Sequence, residues 1–131
     1  MQIKELLQEK KIKATKPRYK IASVLAQSSA PMSLDEIENV CDDIDFSSIY
    51  RTIKLFLQKG MVTEHYFGEK KAKYHFHNES NHNHFIKCLK CGKLEEIKNV
   101  CIIDEVNKKT AFKIIDHYME FTGLCPDCSK N

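Results

Sequence analysis

The sequence predicts an α+β chain in two parts, and three observations carry that reading. Residues 1–60 contain runs with helical apolar spacing, most of them opened by a capping signal, and then give way to two short extended runs around a glycine turn. The second half holds two Cys-x-x-Cys pairs, Cys88 with Cys91 and Cys125 with Cys128. Between them, residues 77–81 read His-Asn-Glu-Ser-Asn, a polar and turn-rich stretch in which neither pattern continues. The expected domains are therefore 1–77 and 78–131.

A first helix is expected near residues 2–10, with Ile3, Leu6 and Leu7 on one face. Thr15 then suits an N-cap, and Pro17 a first helical turn, where its missing N–H costs nothing. That helix should run to about Gln27, with Tyr19, Ala22, Val24, Leu25 and Ala26 as its apolar surface. Ser33-Leu-Asp-Glu36 is a capping-box sequence and predicts a short helix through about Cys41. Phe46-Ser47-Ser48 is the next start signal, followed by the stripe Ile49, Ile53, Phe56 and Leu57 and closed by Gly60. Met61–Phe67, a turn at Gly68, and Ala72–Phe76 then read as a β-hairpin. This order makes a winged helix-turn-helix, with the helix after Phe46 as the recognition helix and the hairpin as the wing.

In the second half, residues 84–88 and 93–97 read as strands bracketing the first cysteine pair, and a helix is expected over 101–110. Residues 113–121 read as a third strand, which would put Ile115, His117, Met119 and Phe121 on one face and lead into the second pair.

A two-residue spacer lets one tight turn aim two sulfurs at one ion, and a second pair completes a tetrahedron. Cys88, Cys91, Cys125 and Cys128 are therefore the expected ligands of a structural zinc, which four thiolates would leave without an open position for chemistry. A redox pair would need only one Cys-x-x-Cys, and disulfides disagree with the expected compartment. The sequence has no apolar run of about 18 residues and no signal peptide at its start, so a soluble, cytoplasmic protein with no membrane partner is expected, in which thiols stay reduced. With 131 residues to make one domain or two very small ones, binding energy from a metal is a plausible part of folding. The remaining cysteines, Cys41 and Cys101, read as small buried hydrophobes.

The formal charge of +3 is unevenly spread: residues 1–20 carry seven Lys and Arg against Glu5 and Glu9, whereas residues from 74 onward balance. A basic first half suits a phosphate backbone, although such a face is also an ordinary solvated surface. Histidines cluster as well. Four of the six lie between His75 and His84 (His75, His77, His82 and His84), and His-x-His on an extended segment puts both rings on one face. With Glu96 on the neighbouring strand and His117 on the last, a second metal site of nitrogen and carboxylate ligands is expected. The bland alternative is a polar loop of solvated histidines.

Residues 13–20 (Lys-Ala-Thr-Lys-Pro-Arg-Tyr-Lys), Ser48-Ile-Tyr50-Arg51, Gly60-Met-Val-Thr, His82-Asn-His84 ahead of Cys88-x-x-Cys91-Gly-Lys, and Gly123-Leu-Cys125-x-x-Cys128 together resemble the ferric uptake regulator (Fur) family, in order and over nearly the whole chain. The resemblance implies a metal-responsive transcriptional repressor of metal homeostasis genes, with an N-terminal winged helix on a duplex DNA operator, a C-terminal α/β dimerisation domain, and a homodimer. It carries DNA contacts to Lys13, Thr15, Arg18, Ser47, Ser48, Tyr50 and Arg51. Regulatory ligands carry over to His82, His84 and Glu96, with His75 after the wing, and an additional site to His117 with Glu105. One ion held by His75 and Glu96 would fix the angle between domains.

Three departures from the family pattern matter. Where relatives often place a regulatory histidine before the helix at Ser33, this chain has Ala30-Pro31-Met32, so that ligand is missing, or His65 or His75 replaces it. His84 lies four residues before Cys88 rather than three, which predicts a bulge at Lys87. His75 and Glu96 stand where peroxide-sensing relatives have aspartates, and with Pro31 this weighs against peroxide sensing. Imidazole-rich ligation suits Zn(II), whereas more carboxylates suit Fe(II) or Mn(II), and the ligand types leave the effector open. The competing class is a metal-independent winged-helix or zinc-ribbon interaction protein whose only metal is structural zinc. No His-Glu-x-x-His and no nucleophile with a paired base occur, so an enzyme is not expected.

Overall fold

The computed structural model describes residues 2–77, 84–98, 100–115, 117 and 119–130. The chain divides into two compact units, Met1–His77 and Asn78–Asn131.

The first unit is built from α1 (Ile3–Glu9), α2 (Lys16–Gln27), β1 (Met32–Ser33), α3 (Leu34–Val40), α4 (Phe46–Gln58), β2 (Val62–His65) and β3 (Lys73–Phe76). Local chemistry sets its helix starts. Thr15 Oγ1 accepts the Arg18 N–H at the head of α2, with Pro17 in the first turn. Ser33 and Glu36 form the reciprocal capping box of α3, at 3.2 and 3.1 Å. The start of α4 differs from the expected Phe46-Ser47-Ser48 signal. Its cap is Asp45, whose carboxylate accepts both the Ser48 N–H (3.1 Å) and the Ser48 hydroxyl (2.6 Å). Gly60, at φ +73°, ends that helix in a conformation that residues with a Cβ rarely adopt.

β2 and β3 form the expected antiparallel hairpin, but the sheet has a third strand, β1, paired to β3 through Met32 with Tyr74 and Ser33 with Lys73. Two residues are too few to show a period, so β1 carries no signal of its own. Leu7, Ile21, Leu25, Ile37, Ile49, Ile53, Phe56 and Met61 fill the core, and Cys41 is buried among them as expected. α4 turns Ile49, Thr52, Ile53 and Phe56 inward on one face, the first, third and fourth of them into this cluster.

The second unit has a three-stranded sheet in the order β5-β4-β6: β4 (His84–Cys88) lies antiparallel to β5 (Leu94–Ile97) and parallel to β6 (Glu120–Gly123), with α5 (Ile103–Asn107) between β5 and β6 in sequence. Two expectations need correction. Among the described residues the third strand does not start at 113, for β6 runs Glu120–Gly123 and Glu120 pairs with Phe85 of β4. Alternating apolar residues make a strand only where a neighbouring strand can take up their backbone groups. β4 also carries no bulge at Lys87: the pairing steps one for one from His84 with Ile97 to Lys87 with Leu94. Among the described residues, no helix is long and apolar enough to cross a membrane.

Candidate metal centres and nucleic-acid surface

The four paired cysteines converge as their spacing predicts. Cys88 ends β4, Cys91 lies in the turn that follows, and Cys125 and Cys128 follow β6, whose parallel pairing sets Gly123 beside Cys88. All four sulfurs lie within 4.8 Å of one another. Cys91 Sγ and Cys125 Sγ are 3.8 Å apart, and tetrahedral zinc with bonds of about 2.3 Å requires sulfurs about 3.8 Å apart. The donor set and its spacing therefore fit zinc. Backbone amides favour thiolate here, as the N–H groups of Cys91 and Cys125 point at Cys88 Sγ at 3.5 and 3.4 Å. These bonds, Cys91's first, lower the Cys88 thiol to about 5. Cys128 is pushed up to about 12, chiefly by its hydrogen bond with Cys125. Four crowded thiols cannot all ionise alone, and a dication removes that conflict by replacing the shared protons.

A second group joins two histidines that the sequence reading placed in one metal site to a cysteine that it left out. His84, Cys101 and His117 each offer a ligand atom within 4.8 Å of the others. Cys101 Sγ lies 3.3 Å from His117 Nε2, and the two imidazoles are 5.7 Å apart between centroids. His84 is almost wholly buried, and burial lowers its pKa, favouring the neutral ring that binds metal. His84 Nδ1 is 2.9 Å from the Met119 carbonyl. A carbonyl only accepts, so Nδ1 carries the proton and Nε2 keeps its lone pair.

Cys101 is thus half-buried beside His117 and not the sequestered hydrophobe expected. A leftover cysteine in a half with four other ligand cysteines, together with a lone histidine on the returning segment, was the available signal. The remaining sequence candidates do not join this group. Glu96 pairs with Phe85 whereas His84 pairs with Ile97, so Glu96 and His84 lie on opposite faces of the sheet. Glu105 is exposed on α5. His75 lies on β3 of the first unit, opposite Thr63. His82 lies outside the described residues. Pro31 is buried and offers no donor.

In the first unit, Ser47, Tyr50, Arg51, Lys54 and Gln58 form an exposed stripe along α4, opposite its buried face. Tyr50 is 45% exposed, which excludes core packing as its role, and Lys54 Nζ sits 5.4 Å over its ring. Arg51 reaches Ser48 Oγ at 3.4 Å. Ser48 and Thr15 serve as cap partners, so their side chains also have a structural task. Lys13 is exposed just before α2, and its carbonyl accepts from Arg18 Nη1 at 3.1 Å.

A model of the ferric uptake regulator family matches residues 9–122. The ferric uptake regulation protein of Campylobacter jejuni is 33% identical, over 96% of this chain and 85% of its own length. The peroxide operon regulator of Bacillus subtilis is 30% identical, over 96% and 90%. The solved ferric uptake regulator of Helicobacter pylori, described as having three functional metal binding sites, is similar with a TM-score of 0.73 at 26% identity, covering 98% of this chain and 90% of that one. A family match across most of the chain, on a winged-helix unit joined to a cysteine-rich metal unit, shows that the chain belongs to the ferric uptake regulator family of metal-responsive transcriptional regulators.

Proposed function

We propose that this chain acts in the cytoplasm as a homodimeric repressor that binds an operator in duplex DNA when a divalent cation fills a regulatory site containing His84 and His117. The observation that carries the DNA side is the exposed stripe on α4, an aromatic and basic face on a helix whose opposite face is committed to the core. Tyr50 has an edge for a thymine methyl, and Arg51 a fork for phosphate or a guanine edge. Lys13 and Arg18, with Ser47 and the cap residues Ser48 and Thr15, supply backbone contacts that fix register. Homodimerisation is supported by apolar residues on the second unit, among them Phe112 at 84% and Ile115 at 85% exposure, which a single copy leaves in water.

Zinc holds the four-cysteine site permanently, and the regulatory ion is Fe(II), Zn(II) or Mn(II). To switch affinity, that ion must favour the DNA-binding arrangement over others, since equal affinity for both would shift nothing. A roughly tenfold gain needs about 1.4 kcal/mol of coupling. Pro31 favours a second reading, an interaction protein whose only metal is structural zinc, because it removes the donor that relatives often contribute from the DNA-binding half.

The test is selection of duplexes from a random pool by zinc-loaded protein, with and without added Fe(II), Zn(II) or Mn(II). The expected result is enrichment of an inverted, A·T-rich repeat only with the added metal, bound with a steep salt dependence. The same enrichment without added metal would overturn the metal switch, and no enrichment under any condition would favour the second reading.

A further inference from the structure

We propose that Cys101 is a metal ligand, making His84, Cys101 and His117 a two-nitrogen, one-sulfur site that takes zinc-class ions in preference to Mn(II). The proposal deepens the metal-switch reading and rests on it, since it names the donor set of the regulatory ion. Three features of the geometry carry it. The donor atoms already lie within 4.8 Å of one another, a span that one ion can bridge. The Met119 carbonyl at 2.9 Å holds the proton on His84 Nδ1, so Nε2 is the nitrogen whose lone pair can bind a metal. A ligand histidine that donates its other N–H to a backbone carbonyl is the usual outer support of a metal-bound imidazole. The 3.3 Å approach of Cys101 Sγ to His117 Nε2 brings a thiol to the same point.

The donor types then select the ion. A thiolate and two imidazoles suit Zn(II) and Co(II), whereas Mn(II) prefers the carboxylates that the group, among the described residues, lacks. One thiolate leaves a bound dication with a net positive charge. The trio also leaves the fourth position of a tetrahedron to water, an anion or a further side chain.

Cobalt(II) is the probe, added to full-length protein whose four-cysteine site has been filled with zinc and whose zinc release is followed in parallel. The expected result is one further Co(II) per chain, with a sulfur-to-cobalt charge-transfer band in the near ultraviolet and no zinc released. Cys101→Ser should remove the band and weaken Co(II) binding roughly tenfold or more, each tenfold being about 1.4 kcal/mol. His117→Ala should weaken binding similarly. Zn(II) should displace the bound Co(II), and excess Mn(II) should not.

A band that survives in Cys101→Ser, Co(II) bound without a band, or ready displacement by Mn(II) would each overturn the proposal. If Cys101→Ser does not fold, the parent protein still decides the matter: bound Co(II) should slow alkylation of Cys101, and unchanged alkylation overturns the ligand assignment. Failure of the regulator reading looks different. The band would behave as stated while DNA affinity ignored the metal.

Discussion

The two units of this chain are held together by different means. In the first, apolar side chains from four helices and the strand segments meet in one cluster, with Leu7, Ile21, Leu25, Ile37, Ile49 and Phe56 wholly removed from water. In the second, the buried residues among those described are His84, Phe85 and Cys88, and two of these three carry metal-binding atoms. Several of its apolar residues are instead exposed, Leu89 and Leu124 along with Phe112 and Ile115. A unit of this size with so few buried residues among those described is one that a structural metal can stabilise substantially. The contrast also bears on function. A unit that stands on its own packing can present a fixed helix face to DNA, whereas a unit whose order depends on ions is suited to report their presence.

The largest expected effect separates the two units cleanly. Cys88→Ser or Cys125→Ser should remove the bound zinc and with it binding energy on the order of 10 kcal/mol, unfolding the second unit. Calorimetry and limited proteolysis should then find the first unit intact. Simultaneous loss of both would mean that the first unit depends on the metal too.

The reverse perturbation is smaller. Phe56→Ala should destabilise the first unit by about 3–5 kcal/mol through transfer and cavity costs, with the zinc content of the folded protein unchanged. A fall in zinc stoichiometry would break the comparison.

On the DNA face, Arg51→Ala should cost about 1–3 kcal/mol of operator binding without moving the thermal transition of either unit, because the side chain is exposed. Unchanged operator affinity in the double variant Tyr50→Ala, Arg51→Ala would show that another surface meets the DNA. The smallest effect is expected at Ser33→Ala, which should lower the melting transition of the first unit alone by the ~1 kcal/mol of a lost cap.

The same contrast explains what the sequence revealed. Thr15 and the Ser33/Glu36 box were legible because capping is local chemistry, decided within four residues. The cysteine site was legible because its spacing has few other uses. The cap at Asp45 was missed because the two serines beside it advertise the same chemistry, and only geometry shows which oxygen reaches the Ser48 amide. β1 depends entirely on a strand forty residues away in sequence, roughly one hairpin and two helices on, and carries no period of its own. Expecting a strand to start at residue 113 failed for a related reason, since alternation says nothing about whether a partner strand is present. At the histidines, counting ligand types grouped His84 with Glu96, but the register of β4 against β5 puts them on opposite faces. Cys101 joins His84 and His117 only through the return of the chain after α5.

The central claim is that metal bound in the second unit governs DNA affinity in the first. Its most direct test is operator affinity measured on one zinc-loaded preparation, with a chelator too weak to strip the four-cysteine site and then with regulatory metal restored. The account predicts roughly tenfold or tighter binding with metal, about 1.4 kcal/mol, and loss of that gain in His84→Ala and His117→Ala variants that keep their structural zinc. Equal affinity in both conditions, or a full metal response in both variants, would contradict it.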